Sequence, residues 1–481
     1  MAHVHREPYV TLAGLTEDRV LIAWGAFFFE VKGEVMDGRF KLIEDKDLRF
    51  SNPPRETLIG ESSNSYGPAE VHVWEKGGNP DQPLKVVVAG DTPQKRGVNH
   101  AWVENLKPNT TYRYRVLVKD SPWAEEERRD WVTQNDNQGL FPAKGVYNNE
   151  FTTYPAADGP TPDFTFAVIG DYGKGMKKKN SPQGRIAAAL AQAVTTKGVR
   201  FVLTTGDHIY GEGVFGGLGG SKDTGDEDSD WFFTHYQPYR YILNRVPFYP
   251  TCGNHDTDES DKSDDYGQLL DNFYIRERFF SGNRDEGDAV KDNGLFYRFR
   301  VGRDVEFISV DSAKPRKSGD KAFMLPVNKP ALSQFLPPVA GAATVWRIPF
   351  FHHPPYVDGP TKKNDKDVEA HLVKPIFEKA GVRLVFNGHE HNFQVSAHNN
   401  IHYVLSGAAG ELRDGKLKKR KEAHNIAWAA KHHFLLVEYK SGKMRVTPYG
   451  ELGQGGQLQP LAGVKKPDGT AFPLPLEISL A

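Results

Sequence analysis

Along the first 155 residues apolar and polar positions alternate with period two. The runs PYVTLAGL, VLIAWGAFFFEV, AEVHVWE, LKVVVAG, VNHAWVENL and TYRYRVLVKD are short, rich in β-branched and aromatic residues, and punctuated by Gly, Pro, Asn and Asp. They predict strands joined by turns, an all-β domain. The stretch from about Lys32 to Gly67 breaks the rhythm and is expected to be an irregular insertion. After TTYPAADGPTPD, a Pro-, Ala- and Asp-rich linker, the pattern changes. FTFAVIG, VRFVLTTG, VPFYPTCG, VEFISVD, WRIPFFHH and VRLVFNG are almost continuously apolar, and RIAAALAQAV and DVEAHLVKPIFEKAG read as helices between them. Apolar strands alternating with helices predict an α/β layered core whose sheet faces are covered. Gly216-Gly217 through Asp230 is Gly- and Asp-rich and expected to be a mobile loop. Beyond Gly450, Pro and Gly erase any readable period. The expected organisation is a β domain over 1–155, a layered α/β domain over 156–450 and a tail over 451–481.

The string NLKPNTTYRYRV resembles the E–F corner of a fibronectin type III or immunoglobulin-like sandwich, where a Tyr hydroxyl bonds back to nearby backbone; Tyr112 is the candidate. Asn109-Thr110-Thr111 formally matches a glycosylation acceptor, but the corner accounts for those residues without sugar. A net charge of −1 over 481 residues gives no global field for nucleic acid or an anionic membrane. The basic runs Lys177-Lys178-Lys179 and Lys418-Lys419-Arg420-Lys421 read as solvated loops. The single cysteine, Cys252, excludes an intrachain disulfide and reads as a packed small residue. The start, MAHVHREPYV, carries no leader pattern, and no apolar run is long enough to span a bilayer. The expectation is a soluble protein, cytoplasmic or secreted with its leader removed, of open oligomeric state.

The candidate chemistry lies where the second-half strands end. VIGDYG supplies Asp171; VLTTGDHIYGEG supplies Asp207 and Tyr210; FYPTCGNHD supplies Asn254, His255 and Asp256; FFHHPPY supplies His352 and His353; VRLVFNGHEHNFQV supplies His389 and His391. In an open α/β sheet the loops beyond the strands' carboxyl ends form the active-site crevice, so these groups should converge. Carboxylates, imidazoles and an amide without cysteine disfavour a structural zinc site and suit Fe, Mn or Zn in a hydrolytic centre. So many ligands exceed the need of one ion. Two ions sharing a carboxylate, about 3.5–4 Å apart, fit better. Glycines before Asp171, Asp207, Asn254 and His389 would let the backbone turn sharply and approach the ions.

The series GD, GDxxY, GNHD, HHP, GHxH resembles the calcineurin-like metallophosphoesterases, and within them, through Tyr210, the purple acid phosphatases. An N-terminal sandwich resembles the larger members, while GDHIYGEGV and GHEHNFQ resemble the small tartrate-resistant branch. The resemblance implies a metallophosphoesterase domain with a β-sandwich core behind a fibronectin III-like domain. It implies that Asp207 bridges two ions. Asp171, Tyr210 and His391 would hold an Fe(III), and Asn254, His352 and His389 a divalent Fe, Zn or Mn. His255 would contact phosphate oxygens and assist the leaving group as the catalytic residue. His352 aligns better than His353 because Pro354-Pro355-Tyr356 follows. Pro349 departs from the family pattern, and VDGPTKKND places Lys362 and Lys363 where many members carry further substrate-facing histidines.

Together these readings imply hydrolysis of phosphate monoesters on a small phosphorylated substrate, with a metal-bound hydroxide as nucleophile. A phosphodiesterase on the same fold is the first alternative, and a binding or adhesion protein with a structural metal site the second. Lys174, Lys177, Lys362 and Lys363, if they face the crevice, favour the more highly charged monoester.

Overall fold

The computed structural model describes residues 2–32, 40–42, 68–88, 99–118, 120–124, 128–129, 144–145, 147–174, 181–210, 228–256, 267–279, 296–312, 332–334, 336–341 and 344–480. The expected insertion after Lys32, apart from a short strand at Phe40–Leu42, lies outside the described residues, as do most of the Gly/Asp-rich loop and Lys177, Lys178 and Lys179. The described chain is mostly strand with few helices. It divides into two compact units, one of Met1–Tyr154, Gly175–Ser181 and Asp226–Pro247, the other of Pro155–Lys174, Pro182–Gly225 and Phe248–Ala481.

In the first unit, Ala2–Leu15 pairs antiparallel along Val20–Lys32, whose other edge takes Phe40–Leu42 and His100–Val103. A second antiparallel sheet runs in the order Glu150–Thr152, Thr111–Val118, Ala69–Glu75, Leu84–Val88. The strand Thr111–Val118 shows the period that predicted it: Tyr112, Tyr114, Val116 and Val118 are buried, while Arg113 between them is exposed. The Tyr112 hydroxyl accepts the Lys107 N–H at 2.8 Å, the corner expected from NLKPNTTYRYRV.

The same unit contains a helix that periodicity does not reveal, over Asp228–Trp231, Phe232–Tyr236 and Gln237–Leu243. WFFTHYQPYRYIL has no polar face because the segment is buried almost all round. Tyr236 lies 4.5 Å from the Tyr9 ring and 4.9 Å from Phe27, and Phe232 lies 5.0 Å from Phe27. Arg240 meets Glu7 at 2.7 Å, both side chains under 5% exposed.

In the second unit, a six-stranded sheet runs Phe248–Pro250, Val199–Thr204, Phe164–Ile169, Phe434–Lys440, Lys443–Tyr449, Leu476–Ile478. A seven-stranded sheet runs Tyr297–Val301, Val305–Ser309, Trp346–Phe350, Leu384–Asn387, Ile401–Ser406, Phe393–His398, Asn425–Ala429. Each sheet is covered on one face by the other. Phe166 lies 5.0 Å from Phe307 and 6.0 Å from Phe386 across the gap, and Phe201 lies 5.1 Å from Phe307. Helix Pro182–Thr196 buries Ile186, Leu190 and Ala193. The helical segment Lys366–Val368 and Glu369–Phe377 packs Val368, Leu372, Val373 and Ile376 into a cluster with Ile308, Val385 and Tyr403. Pro375 interrupts the ordinary ladder there, and the Glu378 N–H reaches Val373 O, five residues back, at 3.1 Å. The carboxy-terminal residues expected as a tail return to this unit: Leu476–Ile478 pairs with Lys443–Tyr449, and Lys465 exchanges hydrogen bonds of 2.9 and 3.0 Å with Trp428. Among the described residues no helix is long and apolar enough to cross a membrane.

Arg240→Ala removes the buried Glu7–Arg240 ion pair. Arg240→Ala is expected to destabilise the first unit by about 3–5 kcal/mol, read as a shifted denaturant midpoint. An unchanged midpoint would contradict the packing described for this helix.

Candidate metal centre

Each candidate ligand follows the carboxyl end of a strand. Asp171 follows Phe164–Ile169, Asp207 follows Val199–Thr204, Asn254 follows Phe248–Pro250, His352 follows Trp346–Phe350 and His389 follows Leu384–Asn387. Phe164–Ile169, Val199–Thr204 and Phe248–Pro250 are mutually parallel, as are Val305–Ser309, Trp346–Phe350 and Leu384–Asn387, so the ends within each sheet point one way. The loops beyond them are laced by backbone hydrogen bonds: Asp171 N–H to Gly206 O at 3.0 Å, Gly388 N–H to His352 O at 3.0 Å, Glu411 N–H to Asp171 O at 3.0 Å.

The structure brings the predicted residues together. Asp171, Asp207 and His391 place ligand atoms within 4.8 Å of one another, and so do His352, His353 and His389. On one side the Tyr210 hydroxyl donates to Asp171 Oδ1 at 3.1 Å and lies 3.1 Å from His391 Nε2, which is itself 3.3 Å from Asp171 Oδ1. On the other side His352 Nδ1 donates to the Thr205 carbonyl at 2.7 Å. That bond makes Nε2 the nitrogen whose lone pair a metal would take once the ring is deprotonated. This Nε2 faces His389 Nδ1 at 3.0 Å, Asn254 Oδ1 at 3.1 Å and Asp207 Oδ2 at 3.3 Å. His352 is therefore the histidine that reaches Asn254 and Asp207. His353 instead turns its Nδ1 to Ser312 Oγ at 3.1 Å.

The electrostatics call for a cation. Burial alone would lower the His352 imidazole, yet the carboxylates of Asp207 and then Asp171 raise it to about 9, so without a metal Nε2 carries a proton that an ion would displace. Burial would raise the Asp207 carboxyl, but His352 above all, with His255 and His389, holds it well below the ordinary range. Burial, then the neighbouring His353 and His352, keeps His389 well below an ordinary histidine and hence neutral, as a ligand must be. Burial and the Asp171 charge hold Tyr210 well above a normal phenol. Converging lone pairs and carboxylates with a second-side phenol fit metal ions.

The backbone carries this convergence at a cost. Asp171, Asp207 and His389 themselves adopt left-handed conformations, with φ of 53°, 53° and 75°. Such strain costs about 1–3 kcal/mol per residue and concentrates at functional sites. Of the preceding glycines only Gly206 shares that conformation, at φ 88°. Gly253 and Gly388 are required for a different reason: a Cβ on either would collide with Asp207 or Asp171 atoms. His255 donates its backbone N–H to Asp207 Oδ1 at 2.9 Å and sets its ring 4.8 Å from Tyr210.

Residues without an assigned role complete the frame. Asp256 accepts the N–H groups of Asp207, His208 and Gly253 at 2.9, 2.7 and 2.8 Å and the His208 ring at 2.8 Å. GNHD placed it in sight, but its function is to hold loops together. His208, packed between Asp256 and Thr204 Oγ1 at 2.5 Å, carried no signal beyond its position in GDHIY. Of the lysines, Lys174 is paired with Glu411 over the Tyr210 ring and Lys363 is exposed. Among the described lysines of this group Lys362 is half-buried, its ammonium lowered by burial and by Arg413. Cys252 is fully buried, its thiol pushed up by burial, in keeping with a packing role.

Residues 164–393 match the calcineurin-like phosphoesterase family. The chain is 26% identical over 307 residues to human (Homo sapiens) tartrate-resistant acid phosphatase type 5, covering 60% of this chain and 88% of that one. It is 24% identical over 277 residues to purple acid phosphatase 4 of Arabidopsis thaliana, covering 55% and 74%. Its fold resembles that of a purple acid phosphatase from yellow lupin (Lupinus luteus) seeds, with a TM-score of 0.55 at 14% identity over 95% of this chain and 74% of the lupin chain. The chain is a phosphatase enzyme with a calcineurin-like phosphoesterase domain, and its homologues are purple acid phosphatases.

Proposed function

We propose that the chain hydrolyses phosphate monoesters at a centre of two metal ions. The observation that carries this is His352 Nε2, oriented from behind by the Thr205 carbonyl and surrounded by Asn254, Asp207 and His389 ligand atoms within 3.3 Å. Asn254, His352 and His389 would hold a divalent Fe, Zn or Mn. Asp171, Tyr210 and His391 would hold Fe(III), with Asp207 shared. Bound there, the ions supply Lewis-acid polarisation of the phosphoryl oxygens and acidify water.

The remaining tasks fall to side chains. His255, tethered through its backbone to Asp207 and ringed by Tyr210, contacts the phosphate and protonates the departing oxygen. As the ester P–O bond breaks, its electron pair goes to the alcohol oxygen, which takes that proton. No side chain bonds to phosphorus. A monoester brings up to two negative charges, and the half-buried Lys362 adds positive potential toward it. The sandwich over residues 1–155 is assigned as fibronectin type III-like, supported by its antiparallel sheets and the Tyr112 corner.

The reading predicts a higher kcat/KM for p-nitrophenyl phosphate than for its bis-aryl diester from about pH 5 to about pH 8. A diester preference of about tenfold or more would reverse the assignment. His255→Ala is expected to keep its metals while losing about 10²–10⁴ in kcat, the range of general acid–base assistance. Loss of metal with unchanged activity per loaded site would show that His255 is a ligand instead.

A further inference from the structure

The basic run Lys418-Lys419-Arg420-Lys421 leads into one short helical turn, Lys421–Ala423, which His424 ends in a left-handed conformation at φ 49°. The His424 ring stacks on that of His398, the last residue of the strand Phe393–His398. Their centroids are 4.0 Å apart and their planes 23° from parallel. Both histidines are half-buried. The buried Tyr356 ring meets the pair from a third side, tilted at 5.0 Å from His398 and edge-on at 5.2 Å from His424. Beside the stack the Ala397 N–H donates to His424 O at 3.0 Å, and the His424 N–H donates to Lys421 O at 3.2 Å, so the turn is fastened to the strand.

The turn holds a second loop in place. The Arg420 N–H donates to Asp358 Oδ1 at 3.1 Å and Arg420 Nη1 to Lys362 O at 3.0 Å, while Asn364 Nδ2 donates to Glu422 O at 2.8 Å. Asn364 Oδ1 in turn accepts the Val357 N–H at 2.8 Å. Residues 357–364, which follow the ligand His352 in the chain, are thus clasped by the turn that the stack secures. Two imidazoles stack well while neutral, but a proton on one sets its charge against the other ring at van der Waals range. The groups facing the pair are Glu369 on the neighbouring helical segment, Glu422 on the turn itself and the Tyr356 phenol. Glu369 and Glu422 favour a charged His424, yet burial and then His398 prevail and lower it below an ordinary histidine. Lys421, exposed on the same turn, brings no compensating negative charge. A histidine lowered in the closed turn takes a proton more readily once the turn opens. Opening is therefore favoured as pH falls below about 6.5 and is unassisted above it.

We propose that the stacked His398 and His424 form a pH-sensitive fastener, which clasps residues 357–364 through the Arg420–His424 turn while both rings are neutral and releases them on protonation. The stack, its Tyr356 wall and the hydrogen bonds from the turn to residues 357–364 make the device. It acts on the freedom of that loop and is independent of which phosphate ester the centre takes. Histidine suits the task because its charge changes between about pH 5 and about pH 8.

The test is amide hydrogen exchange on the metal-loaded protein, corrected for the pH dependence of the exchange chemistry, with metal content measured on the same samples. Between about pH 7.5 and about pH 5, peptides covering residues 357–364 and 420–425 should lose protection about threefold or more, while residues 111–118 keep theirs. His398→Phe keeps an aromatic face under His424 and removes the second charge. A protonated His424 then meets a benzene face, which attracts a cation, so the acid loss should vanish. His424→Asn, a residue that tolerates the left-handed conformation, should show lower protection at every pH and no acid loss. Either variant decides the matter if the other does not fold. Protection that is unchanged by acid in the unmodified protein, or acid loss that persists in the variants, overturns the fastener. So does a loss that spreads equally to residues 111–118, or one that appears only where metal is released. Turnover enters none of these readouts, so the phosphatase reading stands or falls separately.

Discussion

Asp207 is a carboxylate 1% exposed, and the geometry of the site follows from the need to keep its charge there. Desolvation works against it, and the facing His352 above all outweighs that penalty. Imidazoles can do so only if their lone pairs and protons are assigned in advance. The Thr205 carbonyl makes that assignment for His352 by taking the proton of Nδ1. What remains is a pocket of acceptors around a negative charge, which is stable when a cation occupies it.

The fold meets this demand through strand direction. Parallel strands in each of two facing sheets end toward the same side, so five short loops deliver their side chains to one place without long excursions. The cost is paid locally, in left-handed backbone at Asp171, Asp207 and His389. Asp256 limits the damage by accepting the N–H groups on either side of the Asp207 turn and fixing His208 beneath it. Further out, the buried Glu390 ties two loops together, accepting the Lys362 backbone N–H and lying 3.6 Å from Arg413 Nη1.

Much of this was legible in the residues because it was local. Apolar runs such as FTFAVIG and VRLVFNG become strands because their side chains fill the space between two sheets, and each run ended in the residues that now meet. Tyr112 was readable because its corner is a short-range motif. Three things were not. The helix around Tyr236 and Arg240 has no polar face, since burial on every side erases amphipathic period, and its partners Tyr9 and Glu7 lie more than two hundred residues away in the chain. The carboxy-terminal segment joins a sheet edge through a strand of three residues, too short for any pattern. Arg413, in the run GELRDG, carries no motif at all, and its place is set by carbonyls of His389 and His391 that only the folded chain brings near.

The central claim is that the pocket of acceptors around Asp207 binds two ions. The direct measurement is elemental analysis of protein prepared without chelators, set against its Asp207→Asn variant. Close to two metal ions per chain, iron among them, with both reduced together when Asp207 loses its charge, is the predicted result. A single zinc per chain, retained in Asp207→Asn, would contradict it.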